Sequence, residues 1–379
     1  MEQNKFFPEI QGRFGFGCMR LPQIGDDVNH DETCQMVDAF LNAGFNYFDI
    51  ARVYLNGQNE SAIREALVKR YPRDRFVLTN KLTGFLFSRE DEILPLFEKQ
   101  LADCGVDYFD FYLMHAQEHT NFAKYKRLGA YEKAFKLKAE GKIRHVGISF
   151  HDKASVLDQI LTEYPQIELV QIQFNYLDYE DKSVESRKCY EVCEQHNVPV
   201  SIMEPVKGGN LVKLPPDAQA PLDELRARTG ATGSNASYAL RFVASFPNVC
   251  VALSGMSTLE QMQDNLSFMS KFEPLTEDEF ATLRKVADIL HSKSSIPCTG
   301  CKYCVDGCPR SLLIPDYFST YNTYTLFNDP MAKSFYQYVL TMDKAKASDC
   351  IGCGKCEKAC PQHLPIRQLL KQVAETMEA

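Results

Sequence analysis

Residues 45–81 read FNYFDIARVYLNGQNESAIREALVKRYPRDRFVLTNK. The two ends, 45–50 and 76–81, are short runs rich in aromatic and apolar residues. Asp49 and Lys81 stand at their C-terminal limits. Between them, 60–71 spaces its apolar residues as an amphipathic helix does. Strand, helix and strand in that order form the repeating unit of a parallel sheet, because parallel neighbours must be joined by a crossover.

The same alternation runs through about the first 290 residues. Further strands are predicted at 14–19, 109–114, 145–149, 169–174, 198–203 and 249–254. Helical stretches fall at 94–104, 131–140, 152–163, 183–196 and 233–245. Eight strands alternating with helices predict an α/β fold closed into a (β/α)8 TIM barrel. An open doubly wound sheet is the competing architecture, but no G-x-G-x-x-G follows any strand. Polar residues gather at the C-terminal strand ends: Asp49, Lys81, His115, Ser149, Gln171, Asn175 and Glu204. In a closed barrel those ends share one rim, where active sites are built.

Asp49-x4-Tyr54, Lys81 in LTNKL and His115 in FYLMHA resemble the Asp–Tyr–Lys–His tetrad of the aldo-keto reductase family. GKIRHVGISF (141–150), VQIQFNY (170–176), MEPVKGGNL (203–211) and GMSTLEQMQDN (255–265) are similar to further family segments in the same order. The resemblance spans residues 12 to about 270. It implies reduction of an aldehyde or ketone, or oxidation of the alcohol, with NADH or NADPH.

The chemistry explains those residue types. Hydride addition to a carbonyl leaves an alkoxide that needs a proton and charge stabilisation as it forms. A tyrosine is a weak acid at neutral pH, and a lysine ammonium beside it lowers its pKa. Tyr54 is therefore the expected general acid, Lys81 its tuner, Asp49 the partner of Lys81, and His115 the donor that orients the carbonyl oxygen. Taken singly, each of these side chains has an ordinary structural explanation; their family order and spacing single them out.

The resemblance also implies a cofactor groove. Ser149 and Gln171 would hold the nicotinamide carboxamide. The loop after Pro205, with Gly208, Gly209 and Leu211, would approach the pyrophosphate, and Asn265 would contact adenine. Three departures stand out. Met203 occupies a place where an aromatic ring often stacks, Phe150 replaces an Asn, and Gly255 and Gln261 replace a Lys and an Arg that hold the 2′-phosphate of NADP. Without charge-assisted bonds from those two positions, NADH or weak discrimination is favoured.

Eight of the fourteen cysteines fall in two copies of one spacing. These are Cys298-x2-Cys301-x2-Cys304-x3-Cys308-Pro309 and Cys350-x2-Cys353-x2-Cys356-x3-Cys360-Pro361. This is the bacterial iron–sulfur run, in which each fourth Cys serves the other cluster. Two [4Fe–4S] clusters are expected, one on Cys298, Cys301, Cys304 and Cys360, the other on Cys350, Cys353, Cys356 and Cys308. Disulfides suit short secreted chains, and zinc sites usually pair two CxxC knuckles. The long aromatic-rich spacer between the runs resembles α-helical dicluster ferredoxins and predicts a small, mainly α-helical domain. Cys189 and Cys193 lie one helical turn apart with no third ligand nearby, and are expected to be packed thiols.

The expected organisation is a barrel over 1–291 and an iron–sulfur domain over 292–379, the last barrel helix running through 275–291. A net charge of −8 without a Lys/Arg block argues against nucleic acid or an anionic membrane as partner. No apolar run is long enough to span a membrane, and thiol chemistry points to the cytoplasm. The expected partners are a small carbonyl substrate and a redox protein. An alternative is an iron–sulfur electron-transfer protein whose barrel is a docking scaffold or holds some cofactor other than a nicotinamide.

Overall fold

A computed structural model describes residues 3–379 apart from 183, 294, 299, 301, 302, 343 and 361. Eight parallel strands close into a barrel: β1 (Phe14–Gly17), β2 (Tyr47–Asp49), β3 (Val77–Leu82), β4 (Phe109–Gln117), β5 (Ile143–Phe150), β6 (Leu169–Gln173), β7 (Val200–Met203) and β8 (Val249–Ser254). Each strand pairs in parallel with its sequence neighbours, and β1 closes against β8. All eight predicted strands are present, with ends shifted by a few residues.

Alternation along these strands divides the chain between two environments. One parity points to the helices and joins the large outer core, for example Phe48, Leu78, Tyr112, Ile148 and Ile172. The other points into the barrel, where Tyr47, Val77, Phe111, Leu113, Leu169, Val251 and Leu253 pack together. Phe7 and Ile10 join them from the N-terminal segment and stop the floor. Space inside is tight at Gly147, where a Cβ would lie 2.5 Å from the Leu169 carbonyl oxygen.

Residues 117–129, between β4 and the next predicted helical stretch, contain a helix, His119–Arg127. The Glu118 side chain caps it, accepting from the backbone N–H groups of Thr120 and Asn121. A polar face with three basic residues in its last turn hid this helix from an apolar-periodicity search. Helices His30–Asn42, Pro216–Thr229 and Leu259–Met269 extend the same alternation.

After the helix Glu277–Ser292 the chain forms a second apolar cluster, built from Ile296 onward. Its main helices are Ile314–Phe327, Pro330–Phe335 and Ile366–Met377, and no strand occurs there among the described residues. Tyr317, Phe318, Tyr336, Leu370 and Val373 are buried at its centre, so the aromatic-rich spacer supplies core packing. No helix among the described residues is long and apolar enough to cross a membrane.

Candidate active site

The inward parity that fills the barrel continues to its C-terminal rim. Asp49 lies two residues beyond Tyr47, Lys81 four beyond Val77, His115 two beyond Leu113, and Ser149 two beyond Gly147. Side chains from four different strands therefore reach one place, because a period of two keeps them on the same face.

Lys81 is fully buried there, and its Nζ donates to Asp49 Oδ1 at 2.5 Å and to the Ile50 carbonyl at 3.0 Å. The second Asp49 oxygen accepts from Gln171 Nε2 at 2.9 Å. Lys81 Nζ also lies 4.9 Å from the centre of the Tyr54 ring. Burial works against the Lys81 ammonium, but Asp49 and Tyr54 together outweigh it, and the net shift is upward. The lysine stays charged.

Tyr54 and His115 face each other edge to face, with ring centroids 6.2 Å apart. Burial raises the Tyr54 pKa more than Lys81 lowers it, so the phenol lies above its ordinary value. That is opposite to the direction expected from the lysine alone, because the tyrosine is desolvated as well as paired. Burial, then the Lys81 charge, pushes His115 well below the usual imidazole range. A neutral imidazole offers one donor and one acceptor. Nδ1 of His115 stands 2.7 Å from Thr83 Oγ1. When the Thr83 hydroxyl donates to Nδ1, the ring N–H sits on Nε2 and can donate at the rim. Thr83 was not singled out from sequence, although it lies just two residues past Lys81 in the same chain direction.

The residues assigned to a cofactor groove line the adjoining rim. Ser149 is buried and its Oγ accepts from the Ala116 N–H at 2.8 Å. Gln171 is committed to Asp49, which joins the proposed carboxamide holder directly to the Lys81 pair. Met203 is half-buried at the end of β7, and Pro205 is buried behind it. Gly208 and Gly209 have φ of 65° and 100°, a left-handed path that glycine adopts without strain. Leu211 anchors this loop in the core. Asn265 is buried and donates to Ser254 Oγ at 2.8 Å, while Gln261 is exposed and its Oε1 accepts from the Ser257 N–H. Gly255 is covered by the stem of Arg20, whose Cδ lies 3.3 Å from where a Cβ would stand. Arg20 Nη2 reaches the Gly208 side of the groove. A cation thus lies between the two loops, supplied by the turn after β1 rather than by position 255 or 261. Nothing in the local sequence marked it.

In the C-terminal domain, Cys308, Cys350, Cys353 and Cys356 line one small recess together with Leu312, Ile314, Ile351 and Leu370. Three of these thiols come from the second run and one from the first, the combination that the crossover reading names. Cys298, Cys304 and Cys360 belong to the surrounding apolar cluster. Cys301 and Pro361 lie outside the described residues. Cys189 and Cys193 are buried thiols in the helix Ser186–Gln195, whose pKa values burial raises.

Residues 13–288 match the family model of the aldo/keto reductases. This chain belongs to the aldo/keto reductase family. Residues 297–364 match a 4Fe-4S dicluster domain, appended to the reductase barrel. An uncharacterized oxidoreductase, YqkF of Bacillus subtilis, is 25% identical over 315 residues, covering 74% of this chain and 93% of its own. L-galactose dehydrogenase of Arabidopsis thaliana is 24% identical, covering 73% of this chain and 89% of its own. An aldo-keto reductase from Bacillus halodurans in its holo form superposes with a TM-score of 0.59 at 23% identity, over 75% of this chain and 95% of that one. The protein is an oxidoreductase with the reductase barrel and a ferredoxin-type domain.

Proposed function

We propose that the protein reduces a small aldehyde or ketone, or oxidises the corresponding alcohol, with a nicotinamide cofactor on the barrel rim and two [4Fe–4S] clusters in the C-terminal domain. The observation that carries the barrel chemistry is the buried Lys81–Asp49 pair at 2.5 Å beneath Tyr54 and beside His115. A bound nicotinamide would supply the hydride. Every other demand falls on the chain itself. His115, its tautomer set by Thr83, donates to the carbonyl oxygen and fixes its position. Tyr54, held protonated by its raised pKa, gives its proton to the same oxygen as charge develops there. Lys81 stabilises the phenolate left behind, and Asp49 holds the ammonium in place. Ser149 and Gln171 would hold the carboxamide, Met203 would pack on the ring, and the wound backbone of Gly208 and Gly209 would take the pyrophosphate. Gly255, Gln261 and Asn265 would border the adenosine end. The relatives named as NAD(P)H-dependent D-xylose reductases, 37% identical over 116 residues in Aspergillus terreus, favour such a cofactor. So does the fold shared with a Klebsiella pneumoniae aldo-keto reductase in complex with NADPH.

For the clusters, the donor set fits: four thiols around an apolar-walled recess suit a cubane of iron and sulfide. Cys308, Cys350, Cys353 and Cys356 would hold one cluster; Cys298, Cys301, Cys304 and Cys360 the other. Bound clusters would supply one-electron redox chemistry and suit a redox protein as partner. The division is a barrel over 1–291 and a cluster domain over 292–379, in a chain suited to a reducing cytoplasm. Two measurements test this reading. Tyr54→Phe should abolish most carbonyl reduction, and unchanged turnover would sink the assignment. Cys353→Ser should remove one cluster's iron; wild-type iron content would exclude the ligand set.

A further inference from the structure

The segment joining helices Ile314–Phe327 and Pro330–Phe335 lies on the barrel. Leu326 and Phe327 pack against the barrel's apolar core. Asn328 turns the chain with a φ of 51°, and Asp329 caps the next helix, one oxygen accepting from the Met331 N–H at 2.9 Å. The other oxygen accepts from Asn210 Nδ2 at 2.8 Å. Asn210 belongs to the loop that follows β7. That loop has an anchor of the same kind on its barrel side, where Lys207 bonds buried Asp178 at 2.8 and 2.9 Å.

Around these two anchors the backbone is unusual. Glu204, Lys207, Gly208 and Gly209 all have left-handed φ, of 57°, 48°, 65° and 100°. At Glu204 and Lys207, which carry a Cβ, such a path persists only where the surroundings over-determine it. At Gly208 three elements meet. A Cβ there would stand 3.3 Å from Arg20 Nη2, 3.8 Å from Glu204 Oε2 and 4.0 Å from Asp329 Oδ2. The C-terminal domain thus reaches the place where the barrel would take a nucleotide's phosphates.

We propose that Asp329 is a positioning residue for nucleotide binding: by holding Asn210 it keeps the 207–209 backbone in its phosphate-receiving shape, so the dicluster domain completes the cofactor groove. This rests on the loop being the pyrophosphate site. The ligand class is a dinucleotide with an intact pyrophosphate, and the domain acts on it through one hydrogen bond. Binding and the seating of the domain are consequently linked, and each stabilises the other.

The test titrates the cluster-loaded full chain with NADH and with NADPH. Asp329→Ala should raise the Kd for both by roughly tenfold, the scale of a hydrogen bond to a charged acceptor. Asp329→Asn keeps an acceptor oxygen and should stay within about threefold of wild type. Asn210→Ala removes the same bond from the barrel side and should match Asp329→Ala. The double variant should be no weaker than either single one, as two ends of one bond require. In turnover the loss should appear in KM for the nucleotide. Wild-type affinity in Asp329→Ala, additive losses in the double variant, or loss of iron together with affinity in both single variants would overturn the proposal. A wild-type chain that binds neither nucleotide would overturn the reading of the groove itself, and this proposal with it.

Discussion

At the barrel rim, Lys81 is buried against Asp49 and touches Tyr54; at the barrel floor, His145 lies between Glu9 at 2.7 Å and Glu168 at 3.0 Å. Both groups use inward-pointing strand positions and both bury charge. At the floor every partner is another protein group: Phe111 stacks on the imidazole, Phe7 meets both rings edge to face, and Lys138 neutralises Glu168. Nearby, buried Asp110 bridges Arg73 and Arg144. At the rim, Tyr54 is half-buried and His115 has a ring nitrogen directed away from Thr83. The difference teaches that burial of charge does not by itself mark a catalytic site. A network closed on itself supports the fold, whereas one that ends in an open donor can act on a ligand.

That contrast can be broken from either end. The largest effect should follow Tyr54→Phe, with carbonyl reduction falling about 10² to 10⁴-fold in kcat/KM while the melting temperature stays near wild type. Lys81→Met should cost about 3 kcal/mol of stability in denaturant melts as well as activity, because it strands the buried Asp49 carboxylate. His145→Asn should cost about 2 kcal/mol of stability and leave kcat nearly unchanged, the reverse of the Tyr54 result. The sign with pH follows from the histidine. Burial opposes its charge, but Glu168 and Glu9 raise its pKa from 6.5 to about 9. Its contribution is therefore fully present below about pH 6.5 and disappears as pH rises through about 9. Melting wild type and His145→Asn across that range should show the gap closing; a constant gap would refute the charge argument. The smallest effect should be Thr83→Val, which removes the Nδ1 partner and should lower kcat/KM by about threefold to tenfold without changing stability by more than about 1 kcal/mol.

Much of this arrangement was legible in the sequence because it rests on one-dimensional periods. Alternation put Asp49, Lys81, His115 and Ser149 on the same face as Tyr47, Val77, Leu113 and Gly147, and two identical cysteine spacings announced the 4Fe-4S domain. The missed features are those fixed by distant neighbours. Thr83 gains its role only because His115 stands across the barrel gap, and Arg20 because Gly255 leaves room for its stem. Asp329 meets Asn210 across 119 residues of chain, a separation no local pattern encodes. The pKa of Tyr54 went upward for the same reason: the lysine is visible in sequence, while the desolvation around it is a property of the closed barrel.

The floor also imposes an order in time. Asn4 donates to the Cys250 carbonyl at 2.7 Å, joining residues 246 positions apart. A chain leaving the ribosome cannot form that bond, or let Phe7 and Ile10 seal the interior, until β8 has been made. Every cluster cysteine lies farther along, from Cys298 onward. The barrel is therefore the first part of this molecule that synthesis can finish, and the ferredoxin-type domain is the last.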